Sequence, residues 1–326
     1  MTSTPAPPQA VQTDDDRQDT QLEVGGLEKT EKKKTRGPRP GEEREAGWLV
    51  KLILGIICLL WMIPVIGLLV QSVRPDSEIS REGWWNFFAS PQQFTLENYG
   101  EVLTGDDLPT AFLNSLAVSI PATIIPILIA AFAAYAFSWM EFPGRETLFI
   151  VFVGLLVVPL QVAFIPILEI YLNSGIRGSD SPSYGSFLGL WLAHAGFGMP
   201  LAVYLLRNYI GALPREIIES ARVDGASHFT TFWRLIIPLS VPALAAFAIF
   251  QFLWTWNDYL VALILFDTGR NGPVTTIYLY DLIGSQGQGA SLLNAGAFIT
   301  FIVPLVVFFG LQRYFVRGLT AGSVKG

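Results

Sequence analysis

The chain has 326 residues, of which 51% are apolar and 15% charged, and its mean hydropathy is +0.45. These values lie outside the range of soluble globular domains and indicate a membrane protein. The net charge of −6 gives no sign of the basic face that a nucleic-acid-binding protein needs, so that class is excluded. Of the 21 basic and 27 acidic residues, 18 lie in residues 1–46, so a polar tail precedes an apolar body.

The residues that usually carry catalysis are scarce. Cys58 is the single cysteine and cannot form an intramolecular disulfide or a multi-cysteine metal site. His194 and His228, the two histidines, lie far apart in sequence. The chain has no Gly-x4-Gly-Lys-Ser/Thr phosphate loop and no evident nucleophile and base pair. We therefore expect no catalytic residues, no metal site and no cofactor bound by this chain.

Residues 1–46 are predicted to be a disordered cytoplasmic tail, followed by a membrane domain over 47–326. The tail combines an acidic Asp14–Asp16 cluster and a basic Lys32–Lys34 run with too few apolar residues to offset the entropy of ordering. The basic run is either a lipid-binding patch or simply a barrier to membrane insertion.

Six charge-free stretches are long enough to cross a bilayer, which takes about 20 mostly apolar residues. They run over 52–73, 108–140, 147–168, 181–206, 235–257 and 282–312. Two exceed one crossing, so their polar ends at Asn114-Ser115 and at 286–291 are assigned to loops. This narrows those spans to about 113–137 and 293–315. The sequence thus predicts an all-α membrane protein with six transmembrane helices.

The distribution of Lys and Arg predicts the orientation, because cytoplasmic loops retain positive charge. With the N-terminus inside, 17 basic residues lie on the cytoplasmic side and 4 on the other. We expect a multi-pass protein of the cell membrane with both termini cytoplasmic.

The loop between the fourth and fifth spans, Asn208 to Ile237, is too polar to cross the membrane and too patterned for a simple linker. Pro214 suits the first turn of a helix, and Asp224-Gly225 interrupts the pattern. Apolar residues at near-helical spacing lie on both sides of that break: Ile217, Ile218, Ala221 and Val223 before it, and Ala226, Phe229, Phe232, Trp233 and Ile236 after it. This predicts two short amphipathic helices that meet at a glycine turn. The alternative is an amphipathic loop on the bilayer surface.

This loop resembles the EAA motif, E-A-A-x3-G-x9-I-x-L-P, of permease subunits in binding-protein-dependent ABC importers. The matching run is Glu219-Ser220-Ala221, three residues, Gly225, nine residues, and Leu235-Ile236-Ile237-Pro238. Ser220, Leu235 and Ile237 depart conservatively from the motif. The resemblance implies coupling helices that seat in a groove of an ATPase subunit. The residues expected to form this coupling surface are Glu219, Ser220, Ala221, Arg222, Asp224, Gly225, Leu235, Ile237 and Pro238.

Three further runs resemble the carbohydrate branch of these importers, the maltose-type G subunit. They are ARVDGAS at 221–227, Trp256-Asn257-Asp258-Tyr259, and GLTAGSVKG at 318–326. The resemblance covers about residue 48 to the end. It implies a heterodimer with a second permease, a dimer of ATP-binding subunits that uses ATP and Mg, and an extracytoplasmic sugar-binding protein. The implied substrate is an α-glucoside such as maltose or trehalose.

The four residues Trp256, Asn257, Asp258 and Tyr259 are candidates for the translocation path. An ionisable group at membrane depth usually faces a cavity or a partner, and aromatic rings with amides suit sugar faces and hydroxyls. The alternative is an interfacial aromatic belt. The outer loop with Trp84, Trp85, Phe87 and Phe88 is of the kind that receives the binding protein in this family.

A secondary transporter or channel not driven by ATP is the competing function. It would need coupling-ion carboxylates or broken helices in matching halves of the chain. No such internal symmetry is visible, and the Asn208–Ile237 loop would have no role in that case.

Overall fold

The structure is a computed structural model that describes residues 47–89, 93–105, 107–177, 183–283 and 289–323. The predicted tail over 1–46 lies outside these ranges. The chain divides into two units, Met1–Cys58 and Leu59–Gly326. The described part of the first unit is the beginning of helix α1, and the second contains the rest of α1 and all of the later helices.

The described ranges contain helices and no strands. The α-helices are α1 (Trp48–Ser72), α2 (Asp76–Ile79), α3 (Glu97–Thr104), α4 (Asp107–Trp139), α5 (Arg145–Gly154), α6 (Leu160–Asn173), α7 (Ser183–Gly211), α8 (Arg215–Val223), α9 (His228–Thr231), α10 (Ile237–Trp256), α11 (Leu260–Leu265), α12 (Thr268–Asn271), α13 (Thr275–Asp281) and α14 (Ala290–Ser323). Short 3₁₀ segments cover Trp84–Phe88 and Leu155–Val157, and a π-helical turn covers Phe232–Ile236.

Five of these helices are long and apolar enough to cross a membrane, and α5 with α6 adds a sixth crossing if the bent pair counts as one span. The five are α1, α4, α7, α14 and the continuous run His228–Trp256, which joins α9 to α10. The prediction of an all-α membrane protein is therefore confirmed.

The third span differs from the single helix predicted over 147–168, because α5 and α6 meet at an angle of 102°. Pro159 lies in the break and cannot donate a backbone hydrogen bond. Val158 before it is extended, with φ −72° and ψ 120°, as steric contact with a following proline favours. The hydropathy of the segment identifies it as a membrane span, and Pro159 accounts for its bend.

Helix α4, the second of the predicted spans, begins at Asp107 and so starts earlier than predicted. It includes Asn114 and Ser115, for which the sequence predicts a loop. Both side chains hold the segment before α13. Asn114 Nδ2 donates to the carbonyl of Asn271 at 2.8 Å and of Pro273 at 2.9 Å. The Ser115 hydroxyl accepts from the Thr275 backbone N–H at 2.8 Å. Because the side chains of Asn114 and Ser115 find hydrogen-bond partners outside α4, the helix continues through both residues.

The core of the bundle is the contact between α4 and α7, which run in parallel. Ala130, Ala131 and Ala134 of α4 and Ala202 of α7 are completely buried in one cluster. Small side chains let two membrane helices approach closely, so that dispersion contacts replace the hydrophobic effect that lipid does not provide. The buried Gln251 of α10 adds polar contacts to both helices, since its Nε2 donates to the carbonyls of Ala122 and His194 at 3.2 and 3.3 Å.

The first turn of α14 is capped from a distant part of the chain. The carboxylate of Asp76 accepts hydrogen bonds from the backbone N–H of Gly289 and, at 2.9 Å, of Ser291. Burial alone would raise the pKa of this carboxyl, but the two hydrogen bonds outweigh burial and hold the pKa below its ordinary value of 3.8. The negative charge also lies at the positive end of the helix dipole.

We expect Asp76→Ala to lower the melting temperature of the detergent-solubilised protein, by the loss of about 1 kcal/mol that removal of a helix cap typically causes. Because folding lowers the pKa, the carboxylate stabilises the fold above the ordinary pKa, and the effect is lost as pH falls through the folded value. The variant should therefore differ from the wild type at pH 7, and the difference should shrink as the pH falls below 3.8 and through the lowered pKa of the folded state. Glu82→Ala, an exposed control on the same loop, should melt like the wild type at both values.

Candidate functional site

Helix α8 forms the base of the predicted coupling surface and has one buried face. Ile218, 1% exposed, packs in the same cluster as Phe137 of α4 and Ile210 of α7, and Ala221 is buried beside it. Glu216 in the first turn and Arg222 in the last complement the helix dipole. The amphipathic pattern read from the sequence therefore does produce a short helix that packs on the ends of α4 and α7.

Arg222 ties this helix to the last turn of α4. Its Nη2 donates to the carbonyl of Trp139 at 3.0 Å, and Trp139 Nε1 donates in turn to the carbonyl of Ile210 in α7 at 3.1 Å. The last carbonyls of a helix have no partner within the helix. Two such carbonyls are thus satisfied by a chain of contacts from α8 to α4 to α7.

The turn after α8 is the glycine turn that the sequence predicts. Gly225 has φ +75°, a left-handed conformation that other residues adopt at a steric cost. Its N–H donates to the carbonyl of Arg222 at 3.0 Å, while the N–H of Ala226 reaches back to the carbonyl of Ala221 at 2.9 Å. These two bonds form a Schellman motif, which ends a helix and satisfies its last carbonyls. Ser227 then caps α9 by accepting from the N–H of Thr230 at 3.2 Å.

The second half of the loop differs from the prediction. In place of a separate amphipathic helix, α9 continues through the π-helical turn Phe232–Ile236 directly into α10. Pro238 follows that turn and cannot donate to the carbonyl four residues before it. Phe232 stacks on Phe132 of α4 with ring centroids 4.1 Å apart, and the His228 Nδ1 contacts the Tyr135 hydroxyl at 2.9 Å. The loop is therefore rigidly joined to a membrane span.

The nine residues predicted for the coupling surface divide by burial. Ala221 faces the bundle, Leu235 and Ile237 are half-buried at the start of the span, and the other six are exposed: Glu219, Ser220, Arg222, Asp224, Gly225 and Pro238. Two further residues flank the turn and were not predicted as part of this surface. Val223 is 88% exposed and Phe229 is 68% exposed, although both had been assigned to the apolar stripes. Val223 lies two residues before the helix-ending Gly225 and Phe229 lies four residues after it, so a position close to the turn was the available signal for their exposure.

The predicted path residues lie at the opposite end of α10. Trp256 is buried between Phe112 and Phe252, with ring centroids 5.7 and 5.8 Å away. Its indole and the exposed Asn257 border a cavity of about 330 Å³. The cavity is mainly apolar, and its lining comes from α1, α10, α13 and α14: Val65, Leu68, Trp256, Asn257, Leu279, Asn294, Ala297, Phe298, Thr300, Phe301 and Pro304.

Asp258 and Tyr259 have different surroundings from that cavity. The Asp258 carboxylate accepts from the N–H groups of Val261 at 3.4 Å and Ala262 at 3.0 Å, so it caps α11. Tyr259 packs against Tyr280 with ring centroids 5.2 Å apart. The four consecutive residues therefore do not form one lining, because the helix ends at Trp256 and the chain turns.

His194 of α7 lies near Asp258, in the interior of the bundle. It is 1% exposed, and its Nε2 lies 3.8 Å from the Asp258 carboxylate, within ion-pair range but too far for a hydrogen bond. Its Nδ1 and the hydroxyls of Ser119 and Thr255 are buried without a hydrogen-bond partner among the described residues. These groups border a small, partly open pocket lined by residues of α4, α7, α10, α11 and α13. Ser119, His194 and Thr255 lie far apart in sequence, so the sequence alone does not predict that they meet.

Within the described ranges, no three His, Cys, Asp or Glu side chains are grouped so that they could hold a metal ion. One end of the bundle presents a rigid projection with exposed apolar side chains, and the other end has a cavity beside a span.

Comparison with known proteins relates this architecture to transport systems. Residues 43–321 match the family model described as "binding-protein-dependent transport system inner membrane component". The chain is 56% identical over 272 residues to the osmoprotective compounds uptake permease protein GgtD of Synechocystis, which covers 82% of this chain and 89% of the relative.

Two other relatives have names that specify a sugar. The alpha-glucoside transport system permease protein AglG of Rhizobium meliloti is 60% identical over 237 residues, or 73% of this chain and 62% of that protein. The trehalose transport system permease protein SugB of Mycobacterium tuberculosis is 30% identical over 292 residues, or 88% of this chain and 100% of that protein.

Two solved structures share the fold. One is a bacterial ABC transporter that imports the acidic polysaccharide alginate, with a TM-score of 0.65 and 23% identity over 82% of this chain and 95% of that chain. The other is a bacterial alginate ABC transporter in complex with an alginate pentasaccharide-bound periplasmic protein, with a TM-score of 0.59 and 16% identity over 82% and 93% of the two chains. The family match covers most of the membrane bundle, from before α1 into α14, so the chain belongs to the binding-protein-dependent transport system inner membrane components.

Proposed function

We propose that the chain is one permease subunit of an ATP-driven sugar importer. It pairs with a second, different permease, and a dimer of ATP-binding subunits uses ATP and Mg, while this chain binds no cofactor of its own. An extracytoplasmic sugar-binding protein delivers the substrate. Both termini and the α8–α9 turn face the cytoplasm, as the distribution of Lys and Arg indicates.

The observation that carries this proposal is the combination of rigidity and exposure at the α8–α9 turn. On its inner side, Ile218 and Arg222 fix α8 to α4 and α7. On its outer side, Val223 and Phe229 are exposed beside Gly225. A projection that transmits force needs both an anchored base and an apolar contact surface, and large exposed apolar groups typically mark a partner interface.

The connection to the spans suggests how ATPase closure moves the permease. Because α9 runs without interruption into α10, displacement of the turn displaces α10 at its base. The same displacement acts on α4 and α7 through Arg222 and Trp139. An ATPase dimer that binds one position of the turn more tightly than another would shift the bundle between inward and outward access.

The proposed substrate class is an α-glucoside, with trehalose and maltose as the first candidates, and the names of two relatives support it. The sequences most informative here are the alpha-glucoside permease at 60% identity and the trehalose permease at 30%. In this proposal Trp256 and Asn257 form part of the path wall at the cavity, where Asn294 and Thr300 supply further polar groups. Asp258 and Tyr259 support that wall by fixing the chain where it leaves α10.

The turn gives a direct test of coupling. Gly225→Val forces a β-branched residue into a left-handed conformation at a cost of about 1–2 kcal/mol. If the native turn is required for docking, binding of the ATPase subunit weakens by roughly tenfold, since 1.4 kcal/mol corresponds to that factor. We expect sugar uptake to fall while the chain still inserts and pairs, as measured by uptake assays and co-purification.

Gly225→Asn is the matched control, because asparagine tolerates the left-handed region and no neighbouring atom lies within 4 Å of a Cβ built there. It should retain most of the uptake. Equal loss in both variants would point to the side chain and not to the turn, and normal coupling in Gly225→Val would contradict the proposed role.

Energy coupling separates the proposed importer from a secondary transporter. We expect the purified complex, reconstituted in proteoliposomes with binding protein, to accumulate labelled trehalose or maltose only when ATP is present on the ATPase side. Accumulation driven by an ion gradient without ATP would support the secondary transporter. An unlabelled non-glucoside sugar serves as the competition control, and strong competition by it would contradict the substrate class while leaving ATP dependence intact.

A further inference from the structure

We propose that the aromatic segment Trp84–Phe88 is a membrane anchor. In this proposal it inserts into the lipid leaflet at the Ser72 end of α1, at the boundary between headgroups and acyl chains. This differs from the expectation that these residues belong to a docking face for the binding protein. The inference does not depend on the proposed substrate or on ATP coupling.

The first observation is the depth to which the segment folds back. Trp84 packs on Gly67 of α1, where an added Cβ would lie 3.0 Å from the indole Nε1. Gly67 precedes Ser72, the last residue of α1, by five positions, which at 1.5 Å per residue is about 7 Å along the helix. The segment therefore returns alongside a membrane span and does not project away from it. A larger residue at Gly67 would prevent this approach.

The second observation is the polar network that holds the segment in that position. Arg74, immediately after α1, is completely buried. Its Nη1 donates to the carbonyl of Gly83 at 3.3 Å and its Nε donates to Gln93 Oε1 at 2.9 Å. Gln93 Nε2 donates in turn to Glu78 Oε2 at 3.2 Å. One guanidinium thus joins the two sides of the aromatic segment and fixes it against the end of the span.

The third observation is the composition of the surface that results. The run WWNFF contains no charged residue, and Trp85 and Phe88 are 63% and 65% exposed. Tryptophan and phenylalanine are the side chains that interfacial segments place at the headgroup level. The end of α1 beside the segment also exposes an apolar side chain at Leu69. The segment and the end of this span therefore both present apolar surface.

The position of the segment along α1 favours lipid over a protein partner. A water-soluble binding protein reaches residues at or beyond the end of a span, whereas Trp84 contacts α1 more than one turn before its end. The rings of Trp84 and Trp85 pack edge to face at 6.1 Å, and Trp84 packs against Phe88 at 6.4 Å. The cluster is thus preformed and needs no partner to order it.

Depth-dependent fluorescence quenching tests the proposal on the full chain with its co-purifying subunits. In a Cys58→Ser background, Trp85→Cys and Phe88→Cys are each labelled with a polarity-sensitive fluorophore and placed in phosphatidylcholine nanodiscs. We expect strong quenching by lipids that carry a shallow nitroxide and little quenching by aqueous iodide. Glu101→Cys, exposed on α3, is the control and should show the opposite pattern.

Strong iodide quenching at positions 85 and 88 would overturn the proposal. Protection from both quenchers would also overturn it, because it would indicate that a protein covers the segment. Protection without added binding protein would point to the second permease, and protection that requires added binding protein would point to the binding protein.

Arg74→Lys provides a second, milder variant. Lysine keeps the charge but cannot donate to Gly83 and Gln93 with one planar fork. We expect iodide quenching at position 85 to increase several-fold, because the segment lifts from α1. The matched control Arg81→Lys changes an exposed arginine on the same loop and should leave the quenching unchanged. Unchanged quenching in Arg74→Lys as well would show that this network does not hold the segment in place.

Discussion

The structure depends on one constraint, that backbone N–H and C=O groups within a membrane must find partners inside the protein. A helix satisfies its own interior, so the unsatisfied groups are concentrated at its ends. In this chain, side chains from distant segments meet them. Asp76 satisfies the first turn of α14, Arg222 the last carbonyl region of α4, and Trp139 that of α7. The membrane domain has few polar side chains, and these three each satisfy backbone groups at the end of a helix.

These contacts at helix ends also explain why the proposed coupling surface can be rigid without being large. The α8–α9 turn contains fewer than twenty residues, yet its base contacts the terminal turns of two spans and its second half continues into a third. Force applied at Val223 or Phe229 therefore reaches α4, α7 and α10 through hydrogen bonds and a continuous helix. Close alanine packing joins α4 to α7, and closely packed side chains transmit displacement from one helix to the next.

The sequence was sufficient for the features that depend on local chemistry. Apolar length identified the spans, Pro214 marked the start of α8 within one residue, and Gly225 marked the turn because a left-handed position strongly favours glycine. What depends on tertiary contact could not be predicted. The sequence places Asn114 and Ser115 in a loop, because their hydrogen-bond partners lie in the distant 271–275 segment. The approach of His194 to Asp258 requires that α7 and the end of α10 be neighbours, which no spacing reveals.

The helices of the bundle differ in how they are joined. The α4 and α7 pair is densely packed through buried alanines, whereas α5 and α6 are bent at Pro159 and α9 joins α10 through a π turn. Such interruptions weaken the hydrogen-bond ladder locally and are frequent at functional hinges. In the proposed permease, the π turn lies between the exposed α8–α9 turn and α10. A small rotation at the π turn would change the direction of α10 relative to α4 and α7.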